Sequence, residues 1–459
     1  MHVAAPSGPS DQPDHGAISF AYVILLSVIA AISGFLFGFD TAVINGVLFF
    51  LRKQFALTNV QTEIAASSLL LGCLIGAAVA GILSDRYGRK KSLIMAALLF
   101  AISAVGSALS GTLVVFSLAR FAGGLAIGLA SALTPVYIAE IAPAKNRGTL
   151  VSLNQLAIVV GILTSYLVNW QLAKLGDSSW RWMLASAAVP SLAFFFGLLV
   201  IPESPRWLIS RGLKAQGEAV LARIFGPAAA KEQADAVSTA IATEDGSWAE
   251  LFSPAIRARL VVAVALAVFQ QITGINTVLY YGSIIISDHF HGESTGAALA
   301  ANVIIGTVNL IFTIVAMLFL DRWGRRAILM TACAGMAASL GALVVAMHFH
   351  NISGVVLLSF ILLYVAFFAF GMGPGVWLYM SEIFPTKIRG RAVALATSAL
   401  WAGTLVVTFT FLSLVKALGI GGTFGIYAVL SAVCFIYIAT SVPETRGRPL
   451  EQIQEYWKQ

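Results

Sequence analysis

Two copies of one short motif divide this chain in half. Asp85-Arg86-Tyr87-Gly88-Arg89, followed by Lys90 and Lys91, returns as Asp321-Arg322-Trp323-Gly324-Arg325 with Arg326 behind it, and each copy stands between two long apolar runs. Further marks repeat at nearly the same spacing: Glu140 with Arg147-Gly148 returns as Glu382 with Arg389-Gly390, and Pro202-Glu203 returns as Pro443-Glu444. A duplication of this kind constrains the chain to two homologous halves. Many membrane carriers are built so, with their substrate at the midplane between the repeats.

The apolar runs place both halves in a bilayer. Hydrophobic residues make up 59% of the chain and charged ones 11%, against about 25% charged in an ordinary soluble domain. Stretches such as Leu93 to Leu109, Val303 to Leu320 and Val355 to Phe370 are nearly uncharged, as a crossing of roughly 20 residues requires. The pattern predicts an all-α membrane protein with twelve helices, over 19–51, 61–84, 92–110, 113–141, 149–171, 182–201, 258–286, 296–320, 327–349, 354–384, 391–415 and 421–441. Residues 1–18 hold Pro, Ser and Asp but no Lys or Arg, and read as a disordered tail rather than a signal peptide. The organisation is then a first six-helix unit over 19–202, a polar connector over 203–256, a second unit over 257–442 and a tail over 443–459. The connector is Ala-rich and amphipathic, broken at Gly226-Pro227, and predicts two to four short helices.

Charge gives the orientation. Of the 28 Lys and Arg, only Arg52, Lys53, Lys174, Arg181 and Lys416 fall on the side opposite the termini, and Arg120 falls inside a span. The remainder lie on the side of the termini, which the positive-inside rule makes cytoplasmic in a cell (plasma or inner) membrane. The net charge of +7 is thus a topology signal, and it excludes nucleic acid as a partner. No nucleotide loop, nucleophile-base set or metal cluster marks an enzyme or calls for a cofactor.

Ionisable groups are scarce inside the spans, which makes two of them readable. Asp40 in the first span and Arg120 in the fourth lie roughly 18 and 12 Å in from the outer ends. A charge at that depth is costly and normally lines a cavity or pairs. Two readings fit: a carboxyl that exchanges its proton for the Arg partner during a conformational cycle, or a fixed ion pair holding two helices together. Gly34, Gly38 and Gly46 make the first span easy to bend.

Uncharged polar residues concentrate elsewhere. Gln270, Gln271 and Asn276 lie within seven residues, followed by Tyr280 and Tyr281; Asn154 and Gln155, Asn309, Trp377 and Trp401 stand on other spans. Amides and phenols donate and accept, and aromatic faces suit C–H surfaces, so the set fits a neutral polyhydroxylated ligand; interhelical hydrogen bonding is the alternative use. Trp377 follows Gly371-Met372-Gly373-Pro374-Gly375, a stretch unsuited to regular helix.

These residues resemble the sugar porters of the major facilitator superfamily, from about residue 20 to 455. The likeness rests on Asp85-Arg-Tyr-Gly-Arg-Lys, Arg120 with Gly123-Gly124, Pro202-Glu-Ser-Pro-Arg-Trp-Leu208, Gln270-Gln-Ile-Thr-Gly-Ile-Asn276 and Pro443-Glu-Thr-Arg-Gly447. The resemblance implies two six-helix bundles that rock about a central site, binding a monosaccharide through Gln155, Gln270, Gln271, Asn276, Asn309 and Trp377 with Phe37, Tyr280 and Trp401 as aromatic neighbours. It implies proton coupling at Asp40 and Arg120, and a monomer working in the lipid bilayer. It also implies a cytoplasmic gate of ion pairs between bundles and loop helices, drawn from Asp85, Arg89, Glu140, Arg147, Glu203, Asp321, Arg325, Glu382 and Arg389. Ile162 and Leu400 depart from the pattern where amides are common. The expected activity is sugar/proton symport of a hexose or pentose, glucose-like; a facilitative uniporter and a transporter-like sensor are the alternatives. Cys73, Cys333 and Cys434 are too scattered for a metal or disulfide framework and read as packing residues; His289 and His291 and the sequon Asn351-Ile352-Ser353 carry no assignment.

Overall fold

The structure, a computed structural model, describes residues 16–143, 146–243, 248–287, 295–349, 353–384 and 386–445. Outside these lie most of the N-terminal tail, the chain after Thr445, both loop histidines and the first two residues of the sequon, and the side chain of Asp321 is likewise not described. The described residues form helices and no strand.

Among the described residues, eleven helical stretches are long and apolar enough to cross a membrane. One of them, Ile388–Ser441, runs for 54 residues, far more than the roughly 20 that a bilayer needs. Gly419 interrupts it with φ 73° and ψ 167°, a backbone that glycine adopts freely and that ends one helix before the next begins. Counted as two spans, it brings the total to the twelve predicted, six in each half. Between the halves lie four short helices, Pro205–Ser210, Lys214–Phe225, Pro227–Thr243 and Trp248–Leu251. Lys214 donates to Asp235 at 2.6 Å, and that hydrogen bond holds the Asp235 carboxyl below its ordinary range and the Lys214 ammonium above its own.

Among the described residues four spans are broken, the sixth between Ser179–Ala185 and Ala188–Val200. The first divides at Val43 into Gly16–Ala42 and Ile44–Gln54, and the seventh divides at Thr273-Gly274 into Pro254–Ile272 and Ile275–Ser287. The tenth passes through a π turn over Phe368–Met372 just ahead of Pro374. Irregular backbone inside a membrane is tolerated where it faces protein or a cavity.

The glycines of the first span act as contact points. A methyl group on Gly38 would overlap the carbonyl oxygen of Ile158 on the fifth span, and one on Gly161 would overlap that of Phe35. Without side chains there, the two backbones meet directly, as small residues permit in lipid.

The repeated motif makes the same corner twice. Gly88 (φ 95°) and Gly324 (φ 92°) turn the chain between consecutive spans. The helix that follows Gly88 points its first N–H groups, those of Arg89 and Lys90, at the Glu203 carboxylate at 2.9 and 3.0 Å. After Gly324, the N–H groups of Arg325 and Arg326 meet Glu444 at 2.9 and 3.0 Å. A helix N-terminus favours an anion, and a side chain on either glycine would collide with that carboxylate.

At the end remote from the termini, hydrogen bonds join the two halves. Asn45 donates to the Leu279 carbonyl at 2.8 Å and to Asn302 at 3.1 Å, and accepts from the Ser283 N–H at 3.0 Å. The Tyr166 hydroxyl donates to the same Leu279 carbonyl at 2.9 Å.

Candidate functional site

A cavity lies between the halves, with about 110 Å³ open to the centres of water-sized molecules. One water needs roughly 10–15 Å³ on that measure, so the space suits a small organic molecule rather than a bare ion. Its wall contains Phe37, Gln155, Gln270, Gln271, Asn276, Tyr280, Asn309, Trp377 and Trp401, the nine residues expected to touch substrate. Phe37 and Trp401 come from opposite halves, with ring centroids 5.4 Å apart.

The amides fall into two groups by what they already bond. Gln270 donates through Nε2 to the carbonyls of Met372 and Gly373 at 2.6 and 3.0 Å, capping the broken tenth span. Its Oε1 accepts from Gln271 at 3.0 Å, and Gln271 in turn accepts from Asn276. This chain of amides ties both breaks together, and it leaves Gln270 one acceptor position and no donor for a ligand. Gln155 and Asn309 make no hydrogen bond among the described residues, and the buried Trp401 indole N–H has no partner either. Gln155, Asn309 and the Trp401 indole thus present polar groups without a described protein partner to one cavity.

Sequence reasoning missed part of the wall. Ile158, Val159, Leu279 and the hydroxyls of Thr41, Thr313 and Thr404 also line the cavity. An apolar residue or threonine inside a span carries no distinguishing signal. Ile162 and Leu400, the two departures from the family pattern, both line it. Asn154 does not: it packs against Gly34 of the first span.

Asp40 and Arg120 meet beside the cavity. Arg120 donates through Nη1 to Asp40 Oδ1 at 2.5 Å and through Nη2 to the Asp40 carbonyl at 2.6 Å. The residues are 3% and 1% exposed, and neither lines the cavity. Gly123, one turn after Arg120, makes room: a methyl group there would stand 3.0 Å from Asp40 Oδ2 and crowd Ser103. Asp40 lies between the cavity-lining Phe37 and Thr41 and just before the break in the first span.

Of the residues expected to form a cytoplasmic gate between the bundles and loop helices, several pair here within their own half. Arg89 bonds Glu140 at 3.1 Å and approaches Asp85 at 3.5 Å, all in the first half. Arg325 bonds Glu382 at 2.8 Å in the second. Glu203 and Glu444 hold the helix N-termini described above, and Arg389 caps the Phe384 carbonyl at 3.2 Å. Arg147 and Arg389, from opposite halves, lie within electrostatic reach of each other. Such a pair of cations repels. The three cysteines are free and buried, as packing residues would be, and Cys333 and Cys434, 101 residues apart, bring their sulfurs to 3.4 Å.

The profile of the family "Sugar (and other) transporter" matches residues 26–457. The chain is 39% identical over 446 residues to an arabinose-proton symporter of Bacillus subtilis, covering 96% of each protein. It is 37% identical to a D-xylose-proton symporter of Escherichia coli, covering 95% of this chain and 96% of the other. The solved structure of the xylose transporter XylE from E. coli in a partially occluded inward-open conformation superposes with a TM-score of 0.84 at 36% identity, over 94% of this chain and all of the other.

Proposed function

We propose, because the chain belongs to the sugar transporter family of the major facilitator superfamily, that it is a proton-coupled symporter carrying a monosaccharide, a hexose or pentose, into the cell by alternating access. The protein is a multi-pass membrane transporter, and no part of it is an enzyme. The functional unit is a monomer in the cell membrane with both termini cytoplasmic, and residues 19–202 and 257–442 are the two moving bundles. Gln155 and Asn309, one from each half, contact the sugar directly with Trp377 and Trp401, while Gln270, Gln271 and Asn276 hold the broken helices in register. Ile162 and Leu400 give the pocket an apolar side where a sugar hydroxyl would find no partner, which narrows the sugars it accepts.

Symport rather than uniport rests on one observation, the fully buried Asp40–Arg120 pair on the helix that also lines the cavity. A carboxyl beside a guanidinium is ionised while the pair is closed and accepts a proton when the partner withdraws. Because Asp40 sits between two cavity residues, movement of the first span on sugar binding alters that contact. The relatives described as sugar-proton symporters support the same reading. Proteoliposomes with an imposed inward proton gradient test it with labelled xylose, arabinose and glucose in turn. Symport gives transient accumulation above the outside concentration that an uncoupler abolishes. Equilibration unaffected by the uncoupler would make the protein a facilitative uniporter.

A further inference from the structure

Three threonines line the cavity between the halves, Thr41, Thr313 and Thr404. A threonine inside a helix can turn its hydroxyl back to the carbonyl one turn earlier, which satisfies it without any other group. Thr41 does so, donating to the Phe37 carbonyl at 2.8 Å, and Thr404 donates to that of Leu400 at 2.9 Å. Thr313 does not. The residue is 1% exposed, yet among the described residues its hydroxyl bonds neither the Asn309 carbonyl nor any other group. Thr313 follows Asn309 by four residues on the eighth span, Thr295–Trp323, so the two side chains share one helix face about 6 Å apart along the axis. The eighth span also packs on the π turn Phe368–Met372, whose share of the cavity wall, Phe368 and Ala369, is apolar.

We propose that Thr313 is a specificity-determining residue, whose hydroxyl bonds one hydroxyl of the monosaccharide beside the one read by Asn309. The inference rests on the monosaccharide reading above and adds to it a second polar contact on the same helix face. A threonine hydroxyl donates one hydrogen and accepts through two lone pairs, and it rotates to suit its partner. A sugar hydroxyl has the same freedom, so the pair can form in either direction, whichever way the amides orient the rest of the ring. A sugar that lacks that hydroxyl, or holds it in the opposite configuration, leaves Thr313 buried against C–H surface without a partner. A polar site rejects such an analogue far better than an apolar wall rejects an added hydroxyl. Thr313 therefore discriminates among sugars more sharply than Ile162 and Leu400, which line the same cavity.

Calorimetric titration of the purified protein with xylose, arabinose and glucose, and with the singly deoxygenated analogues of whichever binds, tests the assignment. Thr313→Val keeps the side-chain shape and removes the hydroxyl; it should weaken binding of the parent sugar about tenfold, the worth of one hydrogen bond. Its thermal unfolding midpoint should equal or exceed that of wild type, because no described protein partner is lost, and Thr313→Ser should restore most of the affinity. Wild type should lose about tenfold toward one particular deoxy analogue, and toward that analogue Thr313→Val and wild type should bind alike, as a double-mutant cycle requires. Every other analogue should preserve the difference between the two proteins. A Thr313→Val variant that binds the parent sugar as wild type does, or one whose loss is the same toward every analogue, would overturn the proposal. If wild type binds none of the three sugars, the monosaccharide reading itself fails, so the two failures are told apart by the wild-type titration alone.

Discussion

Replacing Asp40 by Asn separates the two uses of the buried ion pair. The guanidinium of Arg120 is 1% exposed and stays charged at any pH a protein survives. Removing one partner of a buried pair costs about 3–5 kcal/mol because the other charge is left uncompensated. The Asn oxygen keeps a neutral hydrogen bond worth about 1 kcal/mol, and the bond from Arg120 to the residue 40 carbonyl is unaffected. The variant should therefore lose about 2–4 kcal/mol of stability, seen as a lower midpoint of thermal unfolding in detergent. Arg120→Gln should cost less, because an orphaned Asp40 accepts a proton and becomes neutral.

The double variant Asp40→Asn/Arg120→Gln is the decisive one. With both charges gone the site is a neutral amide pair of similar volume, so most of the lost stability should return. If the pair only holds helices, transport should return with it. If Asp40 carries the proton, accumulation should stay abolished while sugar exchange across the membrane persists. The difference is large: one charge moved through 100 mV supplies about 2.3 kcal/mol, equivalent to roughly 50-fold accumulation at about 1.4 kcal/mol per decade. Uptake in proteoliposomes with an imposed gradient, set against counterflow, measures both quantities. A stable double variant that still concentrates sugar would refute the coupling role.

Gln155→Ala and Asn309→Ala should each weaken sugar binding by about tenfold, the loss of one hydrogen bond of about 1–1.5 kcal/mol, with thermal stability near wild type; calorimetric titration of the purified protein checks this. Gln270→Ala should weaken binding and also lower stability by about 1–3 kcal/mol, because the Met372 and Gly373 carbonyls lose their buried donor; an unfolding midpoint equal to that of Gln155→Ala would place Gln270 on the ligand instead. Gly38→Val should prevent correct folding, since a Cβ there overlaps the Ile158 carbonyl and overpacking of a rigid backbone costs about 3 kcal/mol or more; size-exclusion of a fluorescent fusion would show aggregate in place of a monodisperse peak. Glu203→Gln and Glu444→Gln should each cost about 1 kcal/mol through the lost anion at a helix N-terminus, with equal effects in the two halves because the corners are alike.

Much of this was legible because the membrane removes alternatives. Hydropathy places the spans, and a charge inside a span is rare enough that Asp40 and Arg120 identify each other across 80 residues. The amide cluster is visible for the same reason, and with the family likeness it led to nine of the residues that line the cavity. What stayed hidden depends on partners. Acids and bases alternating along the terminal face give no sign of whether Arg89 bonds across the halves or within one. The bonds of Gln270 depend on where the tenth span breaks, which the glycines and Pro374 mark only to within a few residues. Glu63 resembles any acid at a solvated helix end until the eleventh span is laid against it. The contact of Cys333 with Cys434 is likewise set by packing between spans distant in sequence.

The placement of charges also accounts for how such a molecule moves at low cost. Arg89 with Glu140 and Arg325 with Glu382 are bonded inside their own halves, as are the Glu203 and Glu444 corners, so separating the halves at the terminal face breaks none of these pairs. Each half keeps its corner in that separation. The bonds that do cross at the remote end, from Asn45 and Tyr166, are neutral, and each contributes about 1 kcal/mol net. Breaking several of them is within reach of thermal motion once water replaces the lost partners. Glu63 is the exception among the described residues, a buried acid of the first half whose two oxygens accept from the N–H and the hydroxyl of Ser413 in the second. The duplicated motif thus builds the same corner in both halves, while the buried acids Asp40 and Glu63 have no buried acidic counterpart among the described residues of the second half.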